Sequence, residues 1–206
     1  MTGRREQNRR ETRARVLDAA KKLFLERGVE GTTAVDLASA ARISRATFFN
    51  YFGTKDDLLL ALWQEQVGNL GSLITQLLAR PAPTEERILL LFTDLVEAVD
   101  RRPGYLAMVA FELERAENRE TTAVRSALFH EQLRRIIDAG LEQGDVRTDY
   151  GPALLTEMVG AVYLSVLRHL RLESDYDLRA HAPEAGRFIA GTMATRRLSP
   201  KPGPGV

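Results

Sequence analysis

Helical spacing governs the apolar residues of this chain almost from end to end, and no alternating run suited to a half-buried strand interrupts it. Between Arg9 and Arg27, Val16, Leu17, Ala20, Leu23 and Phe24 fall at i, i+1, i+4, i+7 and i+8, the pattern of one buried helix face. Gly28 then supplies a stop. Thr33 is placed to cap a short helix with Leu37, Ala38 and Ala41 inward, and Ser44 to cap another that runs through Tyr51. A long periodic segment opens at Thr54, where Asp57 completes a capping box with a shorter acid. The prolines of RPAPT, Arg80 to Thr84, break that helix, and Thr84 with Glu85 and Glu86 starts the next. Further helices are expected over 84–101, 104–116, 119–143, 150–172 and 182–197, separated by Pro103–Gly104, a loop at 144–149 and a polar stretch after Leu172. The fold class is therefore all-α, with the first few residues and the Pro/Gly-rich segment 198–206 expected to be disordered.

Charge is divided unevenly along this helical frame. Residues 1–53 carry 11 Lys and Arg against 6 Asp and Glu, whereas the remainder carries 18 against 22. A basic end on a slightly acidic body fits a chain of which one end meets a polyanion. Cysteine is absent, which excludes disulfides, thiolate metal sites and cysteine nucleophiles. The first fifteen residues are too polar for a signal peptide, and no stretch approaches the roughly 20 uninterrupted apolar residues of a membrane span. A cytoplasmic protein without a membrane segment is expected. Enzyme chemistry finds no support: His130, His169 and His181 lack metal-ligand spacing, and no nucleophile elbow or phosphate-cradling glycine loop occurs. No catalytic residue, metal or cofactor is expected.

The segment Thr32 to Leu59 has the grammar of a helix-turn-helix: a short helix, a tight turn at Ala41 to Ser44, and a second helix with small and polar residues at its start. Such a helix enters a major groove by its amino end. The segment also resembles the signature of the tetracycline-repressor family. The resemblance is carried by Thr32–Thr33, Asp36–Leu37–Ala38, Ile43–Ser44, Thr47–Phe48–Phe49, Tyr51–Phe52 and Lys55, and covers about the first sixty residues. It implies a three-helix DNA-binding domain at 1–53, joined to a helical ligand-binding and dimerisation domain at 54–197. The implied function is a transcriptional repressor released from its operator by a small, largely apolar effector. Three positions depart from the family pattern: Arg42 and Ala46 stand where glycine is common, and Phe49 where a tyrosine hydroxyl usually reaches a phosphate.

Thr33, Ser44, Arg45, Thr47, Asn50, Tyr51 and Lys55 are the candidate DNA-binding residues. Arg45, at the start of the second helix, can donate bidentately to guanine O6 and N7, or serve only as a solvated or phosphate-binding charge. Thr33 and Thr47 offer hydroxyls near helix starts, where a phosphate is welcome but a cap suffices. Tyr51 and Lys55 match positions at which the family contacts the backbone, while Phe48 and Phe52, four residues apart, read as core anchors. The basic cluster from Arg4 to Arg15 either feeds a flexible arm into a minor groove or raises non-specific affinity.

Behind Thr84 the helices are apolar enough to bury most of their length in a bundle. The resemblance implies a ligand cavity there, with Trp63, Phe92, Met108, Phe111, Phe129, Met158 and Tyr163 as candidate lining, although such side chains also make ordinary core. Asp94, Glu112 and Glu157 interrupt apolar runs, so each either meets a cationic ligand or sits on an exposed face paired with arginine. The resemblance further implies a homodimer built on 152–170 and 182–197, where Gly160, Ala161 and Ser165 are small enough for close helix approach. A DNA-binding helical adaptor whose bundle holds another protein is the competing reading.

Overall fold

A computed structural model describes residues 2–115 and 119–195. Among them are nine α-helices: α1 (Thr2–Arg27), α2 (Ala34–Ala40), α3 (Arg45–Tyr51), α4 (Lys55–Leu78), α5 (Thr84–Arg101), α6 (Tyr105–Arg115), α7 (Arg119–Gln143), α8 (Pro152–Leu172) and α9 (Leu178–Met193). No strand occurs among the described residues, only one isolated bridge between Val146 and Ala194. The all-α expectation holds. The segment 198–206 lies outside the described residues.

The starts of α1 and α9 differ most from the sequence reading, and α9 also ends at Met193, short of 197. Helix α1 begins at Thr2 rather than near Arg9, so the expected disorder of the first residues is corrected. Its early turns bury nothing but are laced by pairs one turn apart: Gln7 Nε2 donates to Glu11 at 3.1 Å, and Arg10 lies 3.4 Å from Glu6. Each such pair adds about 0.2–0.5 kcal/mol to a helix. Helix α9 starts at Leu178 instead of 182, because the Asp177 side chain caps it by accepting from the Ala180 amide, and Pro183 is carried inside the helix.

Helices α1, α2 and α3 form the headpiece. Thr33 and Asp36 make a reciprocal capping box at α2, and Ser44 caps α3 by accepting from the Thr47 amide at 3.0 Å. Each cap is worth about 1 kcal/mol. Between the two helices Arg42 adopts φ 57°, the left-handed conformation for which glycine is the usual residue. Phe52 closes α3, and after Gly53 the Thr54–Asp57 capping box opens α4, so the two helices are joined by three residues.

In the bundle, α5 packs against α9, α4 against α7, and α8 against α6, α7 and α9. Helix α8 is long and apolar enough to cross a membrane by length and composition, although Glu157 and Arg168 interrupt its apolar run as the sequence reading has it; here one face is buried in the bundle. A knot of polar bonds holds the far end together. Asp145 accepts from the Thr84 amide at 2.7 Å and its hydroxyl at 2.8 Å, capping α5 where the Pro83 ring has no acceptor to offer. Arg147 grips the end of α9 through the Thr192 carbonyl. A Cβ at Gly140 would collide with Thr84 Oγ1 and Val146 Cγ2, so only glycine fits beneath this knot. The buried core runs unbroken from Val16 in α1 to Met193 in α9.

Candidate nucleic-acid interface and bundle cavity

The headpiece buries Phe48 and Phe52 and leaves the opposite side of α3 to solvent. On that side Ser44, Arg45 and Asn50 are exposed, with Thr47 and Tyr51 half-buried beside them and Thr33 exposed at the start of α2. The Ser44 and Thr47 hydroxyls bond one another at 2.8 Å, an arrangement that fixes both at the amino end of α3. The Arg45 guanidinium lies 5.6 Å over the ring of Phe49, which is 44% exposed. Stacking of this kind restricts a long side chain and holds its donors forward. Lys55 behaves differently: half-buried, it donates to the Val29 carbonyl at 3.0 Å and so ties the start of α4 to the turn after α1. Two of its three hydrogens are left for other acceptors.

A cavity of about 480 Å3 lies where α4 meets α5, α6, α7 and α8. Trp63, Phe129 and Tyr163 form its aromatic wall; Phe129 sits between the other two, with ring centroids 5.8 Å and 5.7 Å away. The remaining candidates fall elsewhere. Phe92 is fully buried behind Tyr163, and Met108 is buried off the lining. Phe111 is half-buried under the Arg171 guanidinium. Met158 is 39% exposed on the outer face of α8, because that face points away from the bundle interior. A polar side that the sequence reading missed completes the cavity, with Glu65, Gln66 and Asn69 from α4, Arg101 and Arg102 at the end of α5, and Tyr105 opening α6.

The three acidic residues separate. Asp94 is on the cavity wall, 3.8 Å from Arg101; partial burial raises its pKa, which Arg101 opposes and Glu97 reinforces. Glu157 is exposed on α8, and Glu112 is half-buried near the end of α6, off the cavity. Burial pushes the Tyr105 and Tyr163 hydroxyls well above their usual range, so both remain protonated donors at neutral pH. Glu65 also reaches the other way, receiving a 2.6 Å bond from Lys21 of α1, a lysine that is itself buried.

Residues 16–62 match the family model described as bacterial regulatory proteins, tetR family. The chain is 24% identical over 168 residues to the transcriptional repressor DhaR of Mycobacterium sp. (strain GP1), covering 78% of this chain and 83% of that one. Over 100 residues it is 36% identical to the transcriptional regulator Mb3439c of Mycobacterium bovis, 48% of this chain and 46% of the relative. The fold superposes on that of Thermus thermophilus FadR, a TetR-family repressor solved with lauroyl-CoA, at a TM-score of 0.74 and 27% identity over 93% of this chain and all of that one. The chain's amino-terminal segment carries the tetR-family DNA-binding pattern, and its fold is that of a solved TetR-family repressor. The chain is a DNA-binding transcriptional regulator.

Beside the tetR pattern, the departures noted in the sequence acquire structural meaning. Arg42 does occupy the left-handed turn position, at a cost on the order of 1 kcal/mol relative to glycine. Phe49, lacking the hydroxyl usual in the family, instead provides the surface on which Arg45 rests. The four-residue spacing of Arg45 and Phe49 carried that signal in the sequence. Nothing in the local sequence marked Glu65, Arg101 and Arg102 as neighbours, because they come from different helices. Gly160 needs correction as well. A Cβ there would sit 3.1 Å from Phe129 and His130, so its small size admits α7 of the same chain, whereas Ala161 beside it is exposed.

Proposed function

We propose that the protein is a cytoplasmic, homodimeric repressor that leaves its operator when a small, largely apolar molecule fills the cavity. The observation that carries this reading is the course of α4. Only three residues separate its start from the end of α3, and it supplies cavity wall from Trp63 to Gln76. A tilt of this one helix would move the headpiece, and a few ångströms of motion would spoil the spacing of two half-sites. Residues 1–53 act as the DNA-binding unit and 54–197 as the effector and dimerisation unit. In the headpiece Arg45 and Asn50 read base edges, while Ser44, Thr47, Thr33 and Tyr51 hold phosphates. Lys55 adds a backbone contact with the donors that Val29 does not use.

Dimerisation is assigned to the outer faces of α8 and α9, where Leu154, Met158 and Phe188 are 42%, 39% and 68% exposed and Ala161 and Ser165 keep the surface low. Apolar side chains so placed favour burial against a second copy. For the effector, the aromatic wall suits an acyl or aromatic body, and Arg101 and Arg102 suit a polar or anionic head. Lauroyl-CoA, bound by the Thermus thermophilus neighbour, is the natural first probe. Added to the protein on a selected operator, it should raise the melting temperature of the protein and release the DNA. Tenfold release requires about 1.4 kcal/mol of preference for the unbound state, within the usual range of allosteric coupling. An effector that stabilises the fold yet leaves operator affinity unchanged would refute the coupling.

A further inference from the structure

We propose that the amino-terminal half of α1 is a second DNA-contacting face, which lays Arg5, Arg9 and Arg13 along the phosphate backbone beside the half-site read by α3. The inference rests on the reading of the chain as a DNA-binding regulator and adds a surface outside the helix-turn-helix. Every residue from Gly3 to Glu11 is exposed, so this stretch has no protein to pack against. Its charge is nevertheless ordered. At 3.6 residues per turn, Arg5, Arg9 and Arg13 continue the stripe that Val16, Ala20 and Phe24 occupy further along the same helix. Those three are 0%, 0% and 1% exposed in the headpiece core. The stripe is apolar where it faces protein and basic where it overhangs.

Arg13 shows where the overhang points. Its guanidinium lies 5.4 Å over the ring of Phe52, the residue that closes α3, so α1 leaves the headpiece beside the carboxy end of the recognition helix. Arg10 is paired with Glu6 and Arg15 donates to Thr12, whereas Arg5 and Arg9 have no ion-pair partner among the described residues. From Arg5 to Arg13 the helix advances about 12 Å at 1.5 Å per residue. Phosphates follow one strand at about 3.4 Å of axis each, so three arginines at this spacing match a short run of them. A helical stretch presents these charges in a fixed row, unlike the flexible minor-groove arm that composition alone allows.

The test compares two double variants with equal loss of charge: Arg5→Gln with Arg9→Gln on the proposed face, and Arg4→Gln with Arg15→Gln, about a third of a turn round the helix from it. Full-length proteins are titrated with a selected operator and with a random duplex of equal length between 50 and 200 mM salt, concentrations at which phosphate contacts dominate. For the first variant the log affinity against log salt plot should become shallower by about 0.9 for each phosphate that is no longer neutralised, about 1.8 for each headpiece engaged. The preference for operator over random duplex should not change, and the second variant should lose less than half as much slope. Circular dichroism should show equal helix content in all three proteins. Equal loss of slope in both variants would overturn the proposal by reducing the row to general charge. A change of sequence preference in the first variant would overturn it by placing these arginines on bases. A wild-type protein that binds neither duplex would sink the regulator reading itself.

Discussion

Arg42 turns the chain between α2 and α3 at φ 57° with its side chain exposed, so the strain of a left-handed residue is not offset by packing. Arg42→Gly should raise stability by about 0.5–1 kcal/mol, the relief of strain being partly offset by the greater freedom of glycine in the unfolded chain. A urea titration reads this directly, and a lower midpoint would mean that the turn carries no strain. Arg45 and Phe49 form a stacked unit on the exposed side of α3, the candidate interface. Arg45→Ala should relax base preference at one or two operator positions by about 1–3 kcal/mol. Phe49→Ala should cost about 0.5–1 kcal/mol at those same positions, since it removes the support and not the donors. A loss spread evenly over all sequences in both variants would reassign Arg45 to phosphate. Asp94 offers a pH signature. Its pKa is raised in the folded protein, chiefly by burial, so ionisation favours the unfolded chain and its cost is fully present above the folded pKa. Asp94→Asn should therefore raise the melting temperature at neutral pH, by a margin that shrinks as pH falls through the folded pKa towards the unfolded value. A margin that grows in acid would contradict the burial argument.

At the scale of elements, the outer faces of α8 and α9 give the sharpest test. Ala161→Arg and Phe188→Arg together should convert a dimer to monomer by light scattering and abolish tight operator binding, because a lone headpiece grips only one half-site. Both sites are exposed in the single chain, so circular dichroism and melting should change little; a variant that stays dimeric would move the interface elsewhere. Gly160 is unsuited to that role since it packs against α7. The helices themselves were readable because each start carries a chemical marker and each interior a period: Thr33, Ser44 and Thr54 all cap the helices that they were placed to cap. The start of α9 was less readable, since Pro183 looks like a beginning and the true cap, Asp177, lies in a polar stretch. Of the side chains picked by type, Trp63, Phe129 and Tyr163 line the cavity, whereas Phe92 and Met108 lie in the core, Phe111 under Arg171 and Met158 on the outer face of α8. Apolar character says that a residue seeks cover, not whether a cavity, a core or a partner supplies it.

For the whole molecule, the unbroken core from α1 to α9 makes the headpiece and bundle mechanically continuous. Links between them include the short joint from α3 to α4, the Lys55–Val29 bond, the packing of α1 on α4 and α6, and the Lys21–Glu65 pair whose acid also lines the cavity. The connections give a route by which a molecule held among α4 to α8 would act on DNA held by α3, and in the proposed dimer the second copy sets the distance between the two headpieces. Central to the account is sequence-specific recognition by that pair. The direct measurement is selection of bound duplexes from a random library with the purified full-length protein, followed by sequencing. The account predicts an enriched, nearly palindromic sequence with half-sites about 34–36 Å apart, one helical turn, or a multiple of that spacing. Recovery of no preferred sequence, or of a single unpaired half-site, would contradict it.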